Sequence, residues 1–141
     1  MSEIAVRSEN TAPARPALLI TVMGEVEVVE LPKGDTLPFT REKLGCRLVD
    51  VAELTPNVDM WMDDEGAYSQ PVNLVATYLA RRFGKVYQAY HGPVLLTANH
   101  MGDTVPLAPD TFRALHGTIE TFAELVRAEF RRRLARAALQ E

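Results

Sequence analysis

Residues 71–107 hold the densest run of structural punctuation in the chain, and they constrain the fold more than any other stretch. Asn73 is a good N-cap for a helix whose apolar stripe is Val75, Ala76, Leu79 and Phe83, with Arg81 and Arg82 on the outer side. Gly84 ends that helix. Val86, Tyr87 and Tyr90 predict a strand over 86–90, and His91-Gly92-Pro93 predicts a turn into a buried strand over 94–98. A polar loop, Asn99-His100-Met101-Gly102-Asp103-Thr104, follows. The glycines at 84, 92 and 102 stand at separate element ends, where turn geometry accounts for them without a ligand. No Gly-x-Ser-x-Gly elbow and no Gly-Lys-Ser/Thr phosphate loop occurs.

Upstream, residues 18–23 form a continuous apolar run, whereas 25–31 alternate charge with valine. Gly24 lies between them, which predicts a β-hairpin with one strand inward on both faces and the other half-exposed. Thr40 is a candidate cap for a short helical turn through Leu44, ended by Gly45. Strands are expected at 48–54 and 58–63. In the second, Val58, Met60 and Met62 share one face, while Asp59, Trp61 and Asp63 share the other. Trp61 is expected to cover a neighbouring helix or strand. Asp64-Glu65-Gly66 predicts a tight turn in which Gly66 supplies a positive φ. The one cysteine, Cys46, rules out an internal disulfide and a cysteine zinc framework, and is expected to be a small, partly buried apolar residue.

From Asp110 the chain predicts helix nearly to its end. Phe112, Leu115, Ile119, Phe122, Val126, Phe130, Leu134 and Ala137 recur at three- and four-residue steps. Gly117 is the weak point, and Thr118 with the Thr121–Glu124 pair leaves continuity and a break equally open. Arg127, Arg131, Arg132, Arg133 and Arg136 crowd its second half around Glu129. Residues 1–16 lack an apolar core of signal-peptide length and are expected to form a disordered arm, followed by a core domain at 17–116 and the amphipathic, arginine-rich helix at 117–141. The expected fold class is α+β: a small, mainly antiparallel sheet covered by one short helix and the long C-terminal helix. No run approaches the roughly 18 apolar residues of a membrane span. The net charge of −4 weighs against a generally basic nucleic-acid binder, and a cytoplasmic location is expected.

The order of these features resembles the family called domain of unknown function 3846, found in actinobacteria, their plasmids and their phages. The likeness rests on the opening strand pair at 18–31, the Leu44-Gly45 turn and Asp63-Asp64-Glu65-Gly66. It rests also on the helix led by Asn73, the Gly92-Pro93 turn and Gly102-Asp103-Thr104 before Leu107. It spans about residues 18–115. The resemblance implies a small α+β protein of mobile elements or their hosts and implies no particular activity; the arginine-rich helix looks like an extension.

Candidate chemistry is sparse. His91, His100 and His116 lack metal-binding spacing, and no metal or cofactor is expected. Asp59, Asp63, Asp64 and Glu65 fit neither a calcium loop nor a buried general acid. The best ligand-binding candidates are Asn73, His91, Asn99, His100, Asp103 and Thr104, since a helix N-terminus favours anions. Three classes follow. A non-enzymatic binding protein would use Phe122, Val126, Phe130 and Leu134 as an interface, with a homodimer through the C-terminal helix as the expected partner arrangement. A nucleic-acid-binding regulator would use Arg127, Arg131, Arg132, Arg133 and Arg136, exposed and unpaired. A small-anion or nucleotide-binding protein, or an enzyme, would join Asn73, His91 and His100 in one concave site. The discriminator is whether the apolar stripe beyond Phe122 has intramolecular sheet to cover.

Overall fold

The computed structural model describes residues 13–140. Its centre is a six-stranded antiparallel sheet: β1 (Pro16–Ile20), β2 (Val26–Glu30), β3 (Val49–Thr55), β4 (Val58–Asp63), β5 (Val94–His100) and β6 (Asp103–Val105). The order is β2-β1-β5-β4-β3, with β6 paired to the far end of β5. Among the described residues four helices join them: α1 (Leu37–Leu44), the one-turn α2 (Gly66–Ser69), α3 (Leu74–Arg82) and α4 (Pro109–Leu139). The expected α+β class holds.

The burial patterns follow the alternation in the sequence. β1 is buried at every position, because both of its faces are covered. On one face, Leu18, Ile20, Met60, Val94 and Leu96 pack against Val75 and Leu79 of α3 and against Leu115, Ile119 and Val126 of α4. On the other, Ala17, Leu19, Val29 and Leu95 meet Leu44 of α1, with Phe39, Cys46 and Trp61 at the margin. Helix α1 is therefore a second cover that the apolar stripes of α3 and α4 did not announce. β2 covers only part of its surface, as its charge alternation requires.

Several local expectations need correction. Thr40 does not cap α1. It lies inside the helix, buried, and its hydroxyl donates to the Thr36 carbonyl at 3.0 Å, while Asp35 accepts from the Leu37 N–H. The helix starts earlier because Pro38 suits a first turn. Gly66 is not a positive-φ turn residue. It opens α2, and a Cβ there would stand 3.1 Å from the His91 carbonyl oxygen, so a side chain fits only if the His91 backbone gives by a few tenths of an ångström. Residues 84–90 form no strand; Tyr87 is 97% exposed, and only Tyr90 turns into the core. The nearest β pairing is an isolated bridge between Val72 and His91. The polar loop at 99–104 is a tight hairpin instead, with Met101 and Gly102 both at positive φ.

Helix α4 is continuous through Gly117. Order also begins before Ala17: Arg15 donates to the Leu31 and Pro32 carbonyls, and the Pro16 carbonyl accepts from Leu107. The rest of the expected arm, residues 1–12, lies outside the described residues.

Candidate functional site

Asn73 is the most constrained polar residue in the structure. Its Oδ1 accepts from the Ala76 N–H at 3.0 Å, which makes it the N-cap of α3. Its Nδ2 donates to the Ile20 carbonyl at 3.1 Å and to the Gly92 carbonyl at 2.9 Å. The residue is fully buried, so the N-terminus of α3 offers nothing to an anion. The other candidates of that group are also accounted for by the fold. Asn99 donates to Asp59 and accepts from the Gly102 N–H; Thr104 pairs with Asn99, and Asp103 with His100, across the β5–β6 hairpin. His91 precedes β5 and His100 ends it, and the strand alone, from Val94 to His100, spans about 20 Å at roughly 3.3 Å per residue. The cleft that His91 lines includes neither Asn73 nor His100.

His91 does line a cleft, but with other partners. A cavity of about 100 Å³ opens at the end of the sheet between β3, β4, α2 and the irregular segment before β5. Asp50 comes from β3, Asp63 and Asp64 from the end of β4, and Tyr90 and His91 from the chain entering β5. Close packing of Gly66 on the His91 backbone and of Gly92 on the Gln70 side chain brings these segments together. The His91 Nδ1 stands 2.9 Å from the Gln70 carbonyl. A carbonyl only accepts, so Nδ1 carries the proton and Nε2 is an acceptor in the neutral ring. Asp50 and Asp63 each accept one neighbouring backbone N–H, from Val51 and Glu65. None of the three aspartates has a Lys or Arg within ion-pair distance among the described residues.

Tyr90 is 4% exposed, and burial followed by the Asp50 charge pushes its phenol above the usual range. Nearby, burial and Asp63 push the Cys46 thiol up, with Arg41 acting the other way. Cys46 is partly buried against α1, as expected of a small apolar residue, and Trp61 packs at the same margin while its indole donates to Thr97 at 2.9 Å. Asp63 and Asp64 belong to the acidic run that the sequence presents as a turn without a site. Nothing in the sequence brings Asp50 and Tyr90 to the cleft, because they reach it only through strand pairing and the chain reversal at His91.

Sequence reasoning placed Phe122, Val126, Phe130 and Leu134 on one stripe that would need a partner for cover. Val126 is buried inside its own fold, and Phe122 and Phe130 pack partly on the core, Phe122 edge-on to Tyr78 with centroids 6.2 Å apart. The stripe thus has intramolecular cover as far as Phe130. Leu134, at 69% exposure, lies beyond it. Arg127 donates to the Gly24 carbonyl and pairs with Glu124 at 2.7 Å; Arg132 and Arg133 both bond Glu129, whose carboxyl they hold below its usual range. Arg131 and Arg136 have no carboxylate partner among the described residues.

A more open groove of about 380 Å³ runs between Val58, Phe83 and Leu115, with Thr55, Asn57, Asp110 and Thr111 also in its lining. Among the described residues, no group of three or more His, Cys, Asp or Glu is placed to hold a metal ion, and no helix is long and apolar enough to cross a membrane.

The order of strand pair, capped helix, Gly92-Pro93 turn and β5–β6 hairpin is the pattern that suggested a family. The model of that family, a domain of unknown function (DUF3846), matches residues 14–123. The chain belongs to the DUF3846 family. The match ends inside α4, so all five clustered arginines lie beyond the DUF3846 region. No curated protein and no solved structure matches the chain.

Proposed function

We propose that this DUF3846 member is a small cytoplasmic accessory protein, of the kind carried by mobile elements, phages or their actinobacterial hosts. It works by binding another protein and carries out no reaction of its own. The observation that supports this most is the end of α4. From Arg131 to Gln140 every residue is exposed, although the helix remains regular, and Leu134 and Leu139 stand 69% and 87% exposed. A helical segment that buries nothing in its own fold yet keeps apolar side chains suits recognition of another surface.

The alternatives have less support. A nucleic-acid tracking helix needs free cations, and Arg127, Arg132 and Arg133 are engaged by Glu124 and Glu129 in a chain of net charge −4. An anion site at Asn73 is blocked by its complete burial.

Site-specific photo-cross-linking in the native cell tests the proposal. A photoreactive amino acid at position 134 should give discrete protein adducts, and one at the exposed control position 33 should not. Equal or absent adducts at the two positions would overturn it.

A further inference from the structure

Every residue from Arg81 to Ala89 is exposed, and the stretch combines three cations with exposed aromatic rings. Gly84, at positive φ, closes α3 in a Schellman turn, in which the Gly84 and Lys85 N–H groups donate to the Arg81 and Ala80 carbonyls. The chain then runs back beside α3, held where the Tyr90 N–H donates to the Thr77 hydroxyl at 3.0 Å. Lys85 and Tyr87 therefore stand beside the helical turns that carry Tyr78, Arg81 and Arg82.

Arg81, Arg82 and Lys85 have no carboxylate within ion-pair distance among the described residues. The negative end of the α3 dipole accounts for cations at Arg81 and Arg82. It accounts for neither Lys85 nor Tyr87, which lie past the helix, and Tyr87 leaves almost its whole ring in water. Arg82 and Phe83 also line a pocket of about 190 Å³ between α3 and α4, together with the buried Leu79 and Leu115. The wider groove past Val58 shares Phe83, Ala114 and Leu115 with that pocket.

We infer that this face binds single-stranded nucleic acid, a role beyond the protein binding of the α4 end and carried by other residues. Arg81, Arg82 and Lys85 take about three phosphates, one base enters the pocket beside Phe83, and another stacks on Tyr87. The combination decides the class of ligand. An acidic peptide would satisfy the cations and leave Tyr87 and the apolar pocket without a role. A duplex keeps its bases stacked on one another, out of reach of both aromatic residues. Asp64, in the cleft that Gln88 also lines, and Asp110, in the wider groove, bound the face on either side, so the bound run is short.

Fluorescence anisotropy of the full chain with labelled oligo-dT and oligo-U, each of about 12 nucleotides, tests the inference. In about 50 mM salt at least one strand should bind with a Kd on the order of 10 µM, and the tighter of the two identifies the preferred sugar. Three phosphate contacts at a salt slope of about 0.7 each predict roughly twentyfold weaker binding at about 200 mM. Tyr87→Ala, and separately Arg81→Gln with Lys85→Gln, should each weaken binding by at least about fivefold, whereas Tyr87→Phe should keep it. All three positions are exposed, so the circular dichroism spectrum should not change. Arg131→Gln with Arg136→Gln should leave binding as it is, which separates this face from the α4 end. No binding at about 100 µM protein in low salt overturns the inference, as does a Tyr87→Ala variant that binds like the wild type. Displacement of the strand by oligo-glutamate of equal charge, as effective as unlabelled oligo-dT, also overturns it, because the face would then read charge alone.

Discussion

Asn73 ties three segments together through one amide, and each of its three bonds is buried. Asn73→Ala loses the cap of α3 and orphans the Ile20 and Gly92 carbonyls. The expected loss in chemical denaturation is about 2–4 kcal/mol, above the roughly 1 kcal/mol of an exposed cap. Asn73→Asp is the sharper test. Aspartate caps helices as well as asparagine does, but here it sets a carboxylate oxygen against two carbonyls, so it should destabilise more than alanine. If Asp proved as stable as Asn, the capping bond alone would explain the residue. The cap was legible in the sequence because Asn before an apolar helical stripe is a local pattern. The two carbonyl bonds were not, since Ile20 is 53 residues away. Cys46 gives a second test at this scale. Its thiol is pushed up by burial and then by Asp63, so less thiolate is present at a given alkaline pH. Iodoacetamide at pH 8 should therefore modify the native chain several-fold more slowly than the chain in guanidinium, and Asp63→Asn should speed the native reaction.

At the scale of elements, the sequence made legible β3 and the strands with a strict pattern: the doubly buried β1, the alternating β2 and β4, and the start of β5. The strand expected at 86–90 failed because aromatic content alone suggested it. Its alternation had no partner edge, and Tyr87 stays in water. The loop at 99–104 turned out to be a hairpin because Met101 adopts a positive φ (53°), a conformation that methionine does not advertise. Gly117 misled in the opposite sense. It weakens a helix by its backbone freedom, yet the packing of Leu115, Ile119 and Ala123 on the sheet carries the helix across it. Gly117 is exposed, and a Cβ there would meet nothing within 4 Å. Gly117→Ala should accordingly stabilise the protein by about 0.5–1 kcal/mol in urea unfolding. A loss of stability would mean that the glycine is kept for a local bend.

For the whole molecule, α4 divides into a part that completes the core and a part that does not, and the sequence showed no boundary between them. The apolar stripe runs on evenly through Phe130, Leu134 and Ala137, but the sheet ends at the Gly24 turn, whose position depends on strand register and not on α4. Val126 lies at that turn and is buried, whereas Phe130 is half-covered and Leu134 is bare. Stopping the chain after Phe130 should therefore leave the melting temperature of the monomer within about a degree or two, because the residues removed from 131 to 140 bury nothing. Stopping it after Ala123, where the family match ends, removes Val126 and Phe130 from the core cluster. At roughly 1.5–3 kcal/mol for each fully buried apolar side chain, that second truncation should cost at least about 3 kcal/mol. Denaturant titrations of the two shortened chains beside the full one, in high salt so that self-association does not contribute, provide the measurement. Equal stability of both shortened chains would show that the core closes without Val126. A large loss on removing 131–141 alone would instead show that the arginine-rich end is part of the fold and not a surface kept for another chain.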